Sequence, residues 1–551
     1  MSETAEARGR GAAGTPLAGA LRALVRRRFE LAVAAVAAAP AVFLGHQLLA
    51  WPPHEDETLA LFVGRESLGG LFDTVLHERG GAPLHFLLAW AVAHGGGGIV
   101  ALRAVSAALA VASLPLVAAL GARLAGRRTA LVATALVGAS WVLLFHGVYG
   151  RMYSLFLFTS LLSFLALTVA LDRGGARRWT LWALAILATV ATHPYGVLVL
   201  GSQALYVLLR RERLREASLA GAAVAVAGIP FWLTDLVLAG RFDVGVGGGG
   251  ERLGGPVSVL RYFWSTAGDF SAGYRPVLGG ALLLAGAGLV RLARTRPQAA
   301  LLAGSAIAVP AAAFLLARFG SSASPESRHL IFVLPFFALA VASGLEWLSR
   351  GRARALAPVA LAVLLVAQVA WASHRTPALF NWEPDQRQAA RAEASAYLAA
   401  TSRPDDVLFG YEPLWLGAWE RNRGFSHTVV PRADSRLALR TLENARAPLG
   451  RGVWIFDASR PNNVRPRLET KLRTPTPASE FQARVFGPFL VIRTIQPTGT
   501  PARYLELAGR AMLVGKSLQI GDADINLLTV DRAAQALRGY GTDRSLSTVS
   551  R

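Results

Sequence analysis

The sequence contains no cysteine and only two lysines, Lys471 and Lys516, among its 551 residues. The lack of cysteine excludes disulfides, thiolate metal sites and cysteine nucleophiles. Charged residues make up only 17% of the chain, whereas 53% of the residues are hydrophobic and the mean hydropathy is +0.40. Because an average soluble protein is about 25% charged, this composition excludes both an ordinary soluble globule and a disordered chain.

The formal net charge of +22 comes almost entirely from arginine. A charge of this sign would point to nucleic acid if the arginines covered one surface. They fall instead in short clusters between long apolar runs, so we expect no nucleic-acid partner.

Eleven apolar runs approach the length of about 20 residues that an α-helix needs to cross a bilayer. They lie at 30–50, 99–122, 129–148, 152–171, 179–193, 195–210, 217–237, 276–291, 298–318, 328–348 and 355–373. The first run is followed by WPPHEDE, without a small-residue cleavage site, so it is not a typical signal peptide. We therefore predict an all-α polytopic membrane domain of about 11 transmembrane helices over residues 21–373.

The arginine clusters predict the orientation of this domain. They fall near residues 22–28, 123–128, 173–178, 210–215, 291–296 and 350–354, always in loops on the side of the N-terminus. Since such loops stay cytoplasmic, we expect a multi-pass protein of a bacterial cytoplasmic membrane, with residues after 374 outside. Residues 82–94 are apolar but short, and we interpret them as a helix on the outer membrane surface; a short spanning helix is the alternative.

The rest of the chain divides by composition. Residues 374–495 alternate helix and strand patterns and predict an extracytoplasmic α/β domain, with strands at 405–410, 427–430, 453–457 and 483–494 and helices at 383–400 and 434–446. Residues 496–551 form a poorly defined C-terminal extension with helices near 501–514 and 530–538. Residues 1–20 and the last dozen residues are expected to be disordered, residues 1–20 on the cytoplasmic side.

The first outer loop, residues 51–98, begins with four adjacent polar residues, His54-Glu55-Asp56-Glu57. Adjacent carboxylates at a membrane edge repel each other and are unfavourable to desolvate. Such carboxylates suit a general base or a group that orients a substrate. A solvated helix cap is the alternative interpretation.

Three further sets of residues fall on the same predicted side. Arg151, next to Tyr153, is either an interfacial anchor or an anion clamp. His193 would by itself be structural, but it shares the face of the acids. Arg328 and His329 start a helix, where two basic groups oppose the helix dipole unless an anion lies between them. Because residues 1–373 contain no lysine, a phosphate at this membrane face must be bound by arginine and histidine.

The order of these motifs resembles the multi-spanning C-type glycosyltransferases, and in particular the bacterial relatives of protein O-mannosyltransferases and aminoarabinose transferases. The resemblance covers about residues 30–350. It is carried by Asp56-Glu57, Pro83-Leu84, Arg103-x-x-Ser106, Gly126-Arg127-Arg128, Arg151-Met152-Tyr153 and Thr192-His193.

The resemblance implies a polyprenyl-phosphate-linked sugar as the donor, used on the outer face. It implies that Asp56 and Glu57 are the family's acidic pair, that Arg151 and Tyr153 match its Arg-x-Tyr motif, and that Arg328 corresponds to its late arginine at the lipid phosphate. The chain has His329 where members often have tyrosine, and Ala82 where they often have a first proline.

The sequence thus predicts a membrane glycosyltransferase, either hexosyl or pentosyl, with Asp56 as the base that deprotonates an acceptor hydroxyl. The acceptor, a glycan, lipid or protein, stays open. Membrane lipid surrounds the enzyme, and we expect no cofactor or metal site, although a divalent cation stays open. Two alternatives remain: a polytopic transporter or lipid flippase, and a non-catalytic scaffold that presents the C-terminal domain.

Overall fold

The computed structural model describes the chain from residue 16 to 537, with gaps. The described residues are 16–241, 255–317, 325–350, 354–376, 384–410, 412–421, 428–431, 435–445, 448–457, 480–517 and 530–537. The first helix begins at Pro16, inside the stretch predicted to be disordered. The other predicted disordered residues, 1–15 and the last dozen, lie outside the described residues.

The membrane domain is helical along nearly all of its described length. Its helices are α1 (Pro16–Ala50), α2 (Glu55–Gly64), α3 (Leu68–Asp73), a π-helical turn (Thr74–Arg79), α4 (Pro83–His94), α5 (Ile99–Ala125), α6 (Arg127–Ala139), α7 (Trp141–Val148), α8 (Tyr153–Arg173), α9 (Ala176–Thr192), α10 (Gly196–Arg210), α11 (Leu214–Ala227), α12 (Ile229–Arg241), α13 (Pro256–Phe270), α14 (Arg275–Thr295), α15 (Pro297–Ala317), a 3-10 segment (Ser327–Val333), α16 (Leu334–Leu348) and α17 (Leu356–Arg375).

The predicted count of about 11 spans is not confirmed. Seven described helices are long and apolar enough to cross a membrane, and two bent pairs, α6–α7 and α11–α12, raise the number to nine. The remaining two predicted spans correspond to α9 and α10, which have 17 and 15 residues. Both are shorter than the about 20 residues that a straight crossing requires.

The short apolar segment 82–94 does form a helix, α4, of 12 residues. It packs against α2, where Gly64 lets the two backbones approach: a Cβ at Gly64 would lie 2.8 Å from the carbonyl oxygen of Ala89. The helix α4 therefore belongs to the packed structure of the 51–98 loop.

A bend between α6 and α7 redirects the chain just before the turn that carries Arg151. The two helices differ in direction by 55°. Ser140 starts α7, because its Oγ accepts a hydrogen bond from the N–H of Leu143 at 3.4 Å. The carbonyl of Leu136, freed by the break, accepts a hydrogen bond from Nε2 of Gln368 at 3.2 Å.

Most of the arginine clusters meet at one end of the bundle. Asp172 pairs with Arg123 and, at 3.0 Å, with Arg210. Glu346 pairs with Arg291 at 2.8 Å and with Arg350 at 2.5 Å. We call the opposite end, which carries residues 51–98, the site face.

The C-terminal domain is a five-stranded mixed sheet between helices. Its strands β1 (Val407–Phe409), β2 (Val429–Val430), β3 (Gly452–Asp457), β4 (Phe481–Phe486) and β5 (Phe489–Thr494) lie in the order β2-β1-β3-β5-β4, with β1 parallel to β2 and β3. The single strand predicted over 483–494 is wrong: β4 and β5 form a hairpin, because Gly487 turns with a φ of 52°.

Helices cover both faces of this sheet. They are α18 (Pro384–Thr401), α19 (Pro413–Arg421), α20 (Ser435–Asn444), α21 (Pro501–Ser517) and a helical stretch at 530–537. The sequence did not predict α19. Phe62 of α2 joins the apolar cluster of α18 and α19, and Leu416 of α19 joins the cluster of α2 and α4. The domain therefore packs directly on the 51–98 loop.

Candidate active site

The acidic residues of the loop lie in the first turn of α2. His54 caps this helix: its Nδ1 accepts a hydrogen bond from the N–H of Asp56 at 3.1 Å, and its own N–H donates to Oε2 of Glu57 at 2.7 Å. Carboxylates in the first turn also complement the helix dipole. The cap thus fixes Asp56 and Glu57 in neighbouring positions with different surroundings.

Glu57 is fully enclosed and forms a bidentate ion pair with Arg103 of α5. Nε and an Nη of Arg103 donate to the two carboxylate oxygens at 2.8 Å each, and the N–H of Gly150 donates to Oε1 at 2.8 Å. With the bond from His54, all four acceptor positions of Glu57 are in use.

The Arg103 guanidinium is saturated as well. Its other three N–H donors bind the carbonyls of Leu48, Trp51 and Pro52 at 2.8–3.0 Å. The pair therefore ties together the end of α1, the start of α2, the start of α5 and the 149–151 turn. The sequence pointed to Arg103 only as part of the family motif, although a lone arginine in the first turns of a spanning helix was a usable signal.

Tyr149 belongs to the same buried frame. Burial, together with the nearby Glu57 carboxylate, raises the pKa of the Tyr149 phenol above its usual range. The phenol therefore stays neutral and donates its O–H to the carbonyl of Pro52 at 3.4 Å.

Asp56 has a more open setting on the same helix. Its side chain is 39% exposed and forms an ion pair with Arg151, whose side chain is 10% exposed. The guanidinium of Arg151 lies 5.0 Å from the ring centre of Tyr153, and the guanidinium of Arg328 lies 5.3 Å from the same ring. Two cationic groups thus converge on one aromatic ring beside a partly exposed carboxylate.

Both guanidinium groups retain an unused donor. The Nε atoms of Arg151 and Arg328 are buried and have no hydrogen-bond partner within the described part of the chain. Arg328 also pairs with Glu326 at 2.5 Å. Buried N–H groups are almost always hydrogen-bonded in folded proteins. These two lie around one ring beside the Asp56 carboxylate, so an acceptor group bound there would satisfy both.

His193 and His329 complete the cluster around Tyr153. Their ring centres lie 5.7 Å and 5.9 Å from that of Tyr153 and 5.4 Å from each other. Nδ1 of His193 accepts from the N–H of Tyr195 at 3.0 Å, and Nδ1 of His329 accepts from the N–H of Glu326 at 3.1 Å. Because each Nδ1 is an acceptor, each Nε2 carries the proton and is a donor.

The structure therefore brings together all seven residues that the sequence singled out. Asp56 and Glu57 come from α2, Arg151 and Tyr153 from the start of α8, His193 from the α9–α10 turn, and Arg328 and His329 from the 3-10 segment. Among the described residues, no group of three or more histidine, aspartate or glutamate side chains is arranged to hold a metal ion.

One contribution comes from the C-terminal domain and was not predicted. Nε2 of Gln388, on α18, donates to the carbonyl of Trp51 at 3.2 Å. Arg103 binds the same carbonyl at 2.8 Å. The domain thus contacts the frame that holds the start of α2.

Comparisons with known proteins agree with this architecture. No protein-family model matches the chain, and no curated protein does. Two solved structures of ArnT from Cupriavidus metallidurans match it at 14% identity, covering 84% of this chain and 97% of that chain. The TM-score is 0.53 for the apo state and 0.52 for the form bound to undecaprenyl phosphate. The chain shares the fold of ArnT. This confirms the resemblance seen in the sequence at the level of the fold.

A third match is more distant than the two ArnT structures. The Archaeoglobus fulgidus oligosaccharyltransferase, in complex with Zn and sulfate, aligns with a TM-score of 0.46 and 12% identity, over 76% of this chain and 67% of its own. The two ArnT structures therefore carry the fold comparison.

Proposed function

We propose that the chain is a membrane glycosyltransferase that moves a sugar from a polyprenyl-phosphate donor to an acceptor hydroxyl at the outer face of a bacterial cytoplasmic membrane. The observation that carries this proposal is the pair of buried guanidinium groups, Arg151 and Arg328, with unused Nε donors beside the partly exposed Asp56 carboxylate. An ArnT structure of the same fold holds undecaprenyl phosphate, which supports a lipid phosphate as the missing anion.

In the proposed reaction, Asp56 takes the proton of the acceptor hydroxyl while the hydroxyl oxygen forms a bond to the anomeric carbon of the sugar. The bond between that carbon and the phosphate oxygen breaks, and its electron pair leaves with the phosphate. A singly charged phosphodiester becomes a polyprenyl phosphate monoester with a second ionisable oxygen. Asp56 later releases the proton to water.

The negative charge that develops on the leaving phosphate needs fixed positive groups. Arg151 and Arg328 supply them, and the Nε2–H donors of His193 and His329 point to a supporting role for both histidines. Glu57 has all its acceptor positions occupied, so we assign it the role of holding α2 and the 149–151 turn in place.

The direct test is a transfer assay with membranes that contain the protein. Radiolabelled polyprenyl-phosphate sugars are added, and both a glycosylated product and free polyprenyl phosphate are measured. The proposal requires both to appear in equal amounts and to depend on the protein. Movement of intact labelled lipid between leaflets without any product would instead support the transporter alternative.

The orientation is tested by cysteine labelling, because the natural chain has no cysteine. Pro404 lies in an exposed turn of the C-terminal domain, and Ala176 is exposed at the arginine-rich end. We expect Pro404→Cys to react with a membrane-impermeant thiol reagent in intact cells, and Ala176→Cys to react only after the membrane is opened. The reverse pattern would place the site face in the cytoplasm.

A further inference from the structure

The segment that carries Arg328 is held from outside the candidate site by α13. The O–H of Tyr262 donates to the carbonyl of Glu326 at 3.1 Å. The O–H of Ser327 donates to Oδ2 of Asp269 at 2.7 Å. Both partners come from one helix, and the residue that Asp269 binds is the immediate neighbour of Arg328.

Asp269 is a junction of three elements. Its side chain is 3% exposed. Its Oδ1 accepts a hydrogen bond from Nε1 of Trp371 at 3.2 Å and lies 3.6 Å from Nε of Arg375. Trp371 and Arg375 are on the last turns of α17, so one carboxylate joins α13, α17 and the start of the 3-10 segment.

The same end of α17 reaches the cluster by a second route. The guanidinium of Arg375 lies 5.2 Å from the ring centre of Trp141, whose Nε1 donates to the hydroxyl of Thr376 at 3.3 Å. Trp141 contacts His146 at 5.6 Å between ring centres, and His146 lies 5.2 Å from Tyr153. The end of α17 therefore supports both the ring of Tyr153 and the segment that carries Arg328.

The contacts of α13 and α17 with this segment fix the position of Arg328. Arg151 and Arg328 both lie near the ring of Tyr153, and each also pairs with a carboxylate, Asp56 or Glu326. The position of the Arg328 guanidinium at the ring therefore depends on how the backbone that carries it is held. A hydrogen bond from a hydroxyl to a carboxylate is charge-assisted and stronger than a neutral one. The Ser327–Asp269 bond holds the backbone next to Arg328 in place.

We propose that Asp269 is a positioning residue for the phosphate site: by holding Ser327, it fixes Arg328 in the geometry that binds the leaving phosphate. This inference rests on the proposed function, because it assigns a purpose to the placement of Arg328. Asp269 itself acts through Ser327 and contacts no substrate.

The kinetic test uses Ser327, where a small change removes the bond and leaves Asp269 with its α17 partners. We expect Ser327→Ala to raise the donor KM about five- to tenfold, while the acceptor KM stays unchanged. This is less than the direct loss of a hydrogen bond to a charged group, because Ser327 acts on the donor only through Arg328. Ser327→Thr keeps the hydroxyl and should restore the donor KM to within about twofold. The matched control is Ser349→Ala, at the other end of α16, where the hydroxyl donates to the carbonyl of Glu346 at 2.7 Å.

A second readout does not depend on activity. Arg328→Cys gives the cysteine-free chain a single thiol at residue 328. The rate at which this thiol reacts with an anionic methanethiosulfonate reagent reports how accessible residue 328 is to an anion from solution. We expect this rate to change at least about threefold when Ser327→Ala or Asp269→Asn is added, because the tether that fixes the segment is weakened.

The outcomes separate the two proposals. If the natural chain transfers no sugar and binds no donor, the proposed function fails, and the thiol rates still decide whether Asp269 holds residue 328. If transfer occurs but Ser327→Ala leaves the donor KM and the thiol rate unchanged, Asp269 is not a positioning residue. If Ser327→Ala does not fold, the comparison of Asp269→Asn with the natural chain decides: an unchanged donor KM overturns the inference.

Discussion

Two arginine–carboxylate pairs lie side by side in this protein and are built in opposite ways. Glu57 is 0% exposed and Arg103 2% exposed, and every donor and acceptor of that pair is occupied. In the neighbouring pair, Asp56 is 39% exposed and Arg151 keeps an unused buried donor. A saturated pair can only hold its surroundings together, whereas an open pair can exchange a proton or bind an anion.

The two pairs differ because Asp56 and Glu57 are consecutive residues of α2. Successive helical positions point about 100° apart, because a helix has 3.6 residues per turn. Glu57 consequently points toward α5, and Asp56 points toward the turn that carries Arg151. The chain obtains a fixed frame and a reactive edge from the same short sequence.

The largest effect should come from the open pair. Asp56→Asn keeps the shape of the side chain but removes the proton acceptor, so the rate of sugar transfer should fall about 10²–10⁴-fold. Donor binding and the melting temperature should change little. The measurement is kcat together with donor affinity in reconstituted membranes.

The matched control for this change is Asp73→Asn, the same substitution at an exposed aspartate of the same loop that pairs with His77. It should transfer sugar at the natural rate. If Asp56→Asn also transfers at that rate, Asp56 is not the base; if Glu55→Gln is the inactive variant, the base is the neighbouring carboxylate.

The saturated pair should show its effect in stability. Arg103→Met leaves the Glu57 carboxylate buried without its partner, and such a change destabilises a protein by about 3–5 kcal/mol. The double variant Arg103→Met with Glu57→Met removes both charges, so it should recover part of this loss. The measurement is the melting temperature of the purified protein in detergent. A single variant as stable as the natural chain would show that the frame does not depend on this pair.

The sequence could identify the residues of the site, but it could not show which carboxylate is enclosed by partners and which is open to a substrate. The positions at one membrane face follow from the alternation of apolar runs and arginine clusters, so Asp56, Arg151, His193 and Arg328 could be placed together from pattern alone. Whether a carboxylate is enclosed depends on a partner elsewhere in the chain, and Arg103 is 46 positions from Glu57. The importance of Arg103 and Asp269 was therefore not visible in a local pattern.

The fold shows the same limit. The helical character of the described residues between 16 and 373 was predictable from hydropathy, because apolar runs of this length require internally bonded backbones in a membrane. The bends at Ser140 and Gly228 were not, since the carbonyls freed there are bonded by side chains outside the turn. Gln368 donates to the carbonyl of Leu136, and Trp232 donates to the carbonyl of Ala225. The hairpin at Gly487 was missed because two adjacent apolar strands look like one long strand when the turn is short.

The smallest expected effect, and the sharpest test of the open pair, concerns the phosphate. Arg151 serves both Asp56 and the proposed anion, so its loss should disturb proton transfer and donor binding together. Arg328 pairs with Glu326 and contacts the same ring, so its loss should affect the donor alone. A charge-assisted contact is worth about 1.5–3 kcal/mol, and Arg328→Ala should weaken donor binding about tenfold or more. The matched control is Arg275→Ala, which removes an exposed arginine at the start of α14 and should bind the donor normally. If Arg328→Ala and Arg275→Ala bind the donor equally well, Arg328 does not contact the phosphate, and Arg151 is the phosphate-binding arginine.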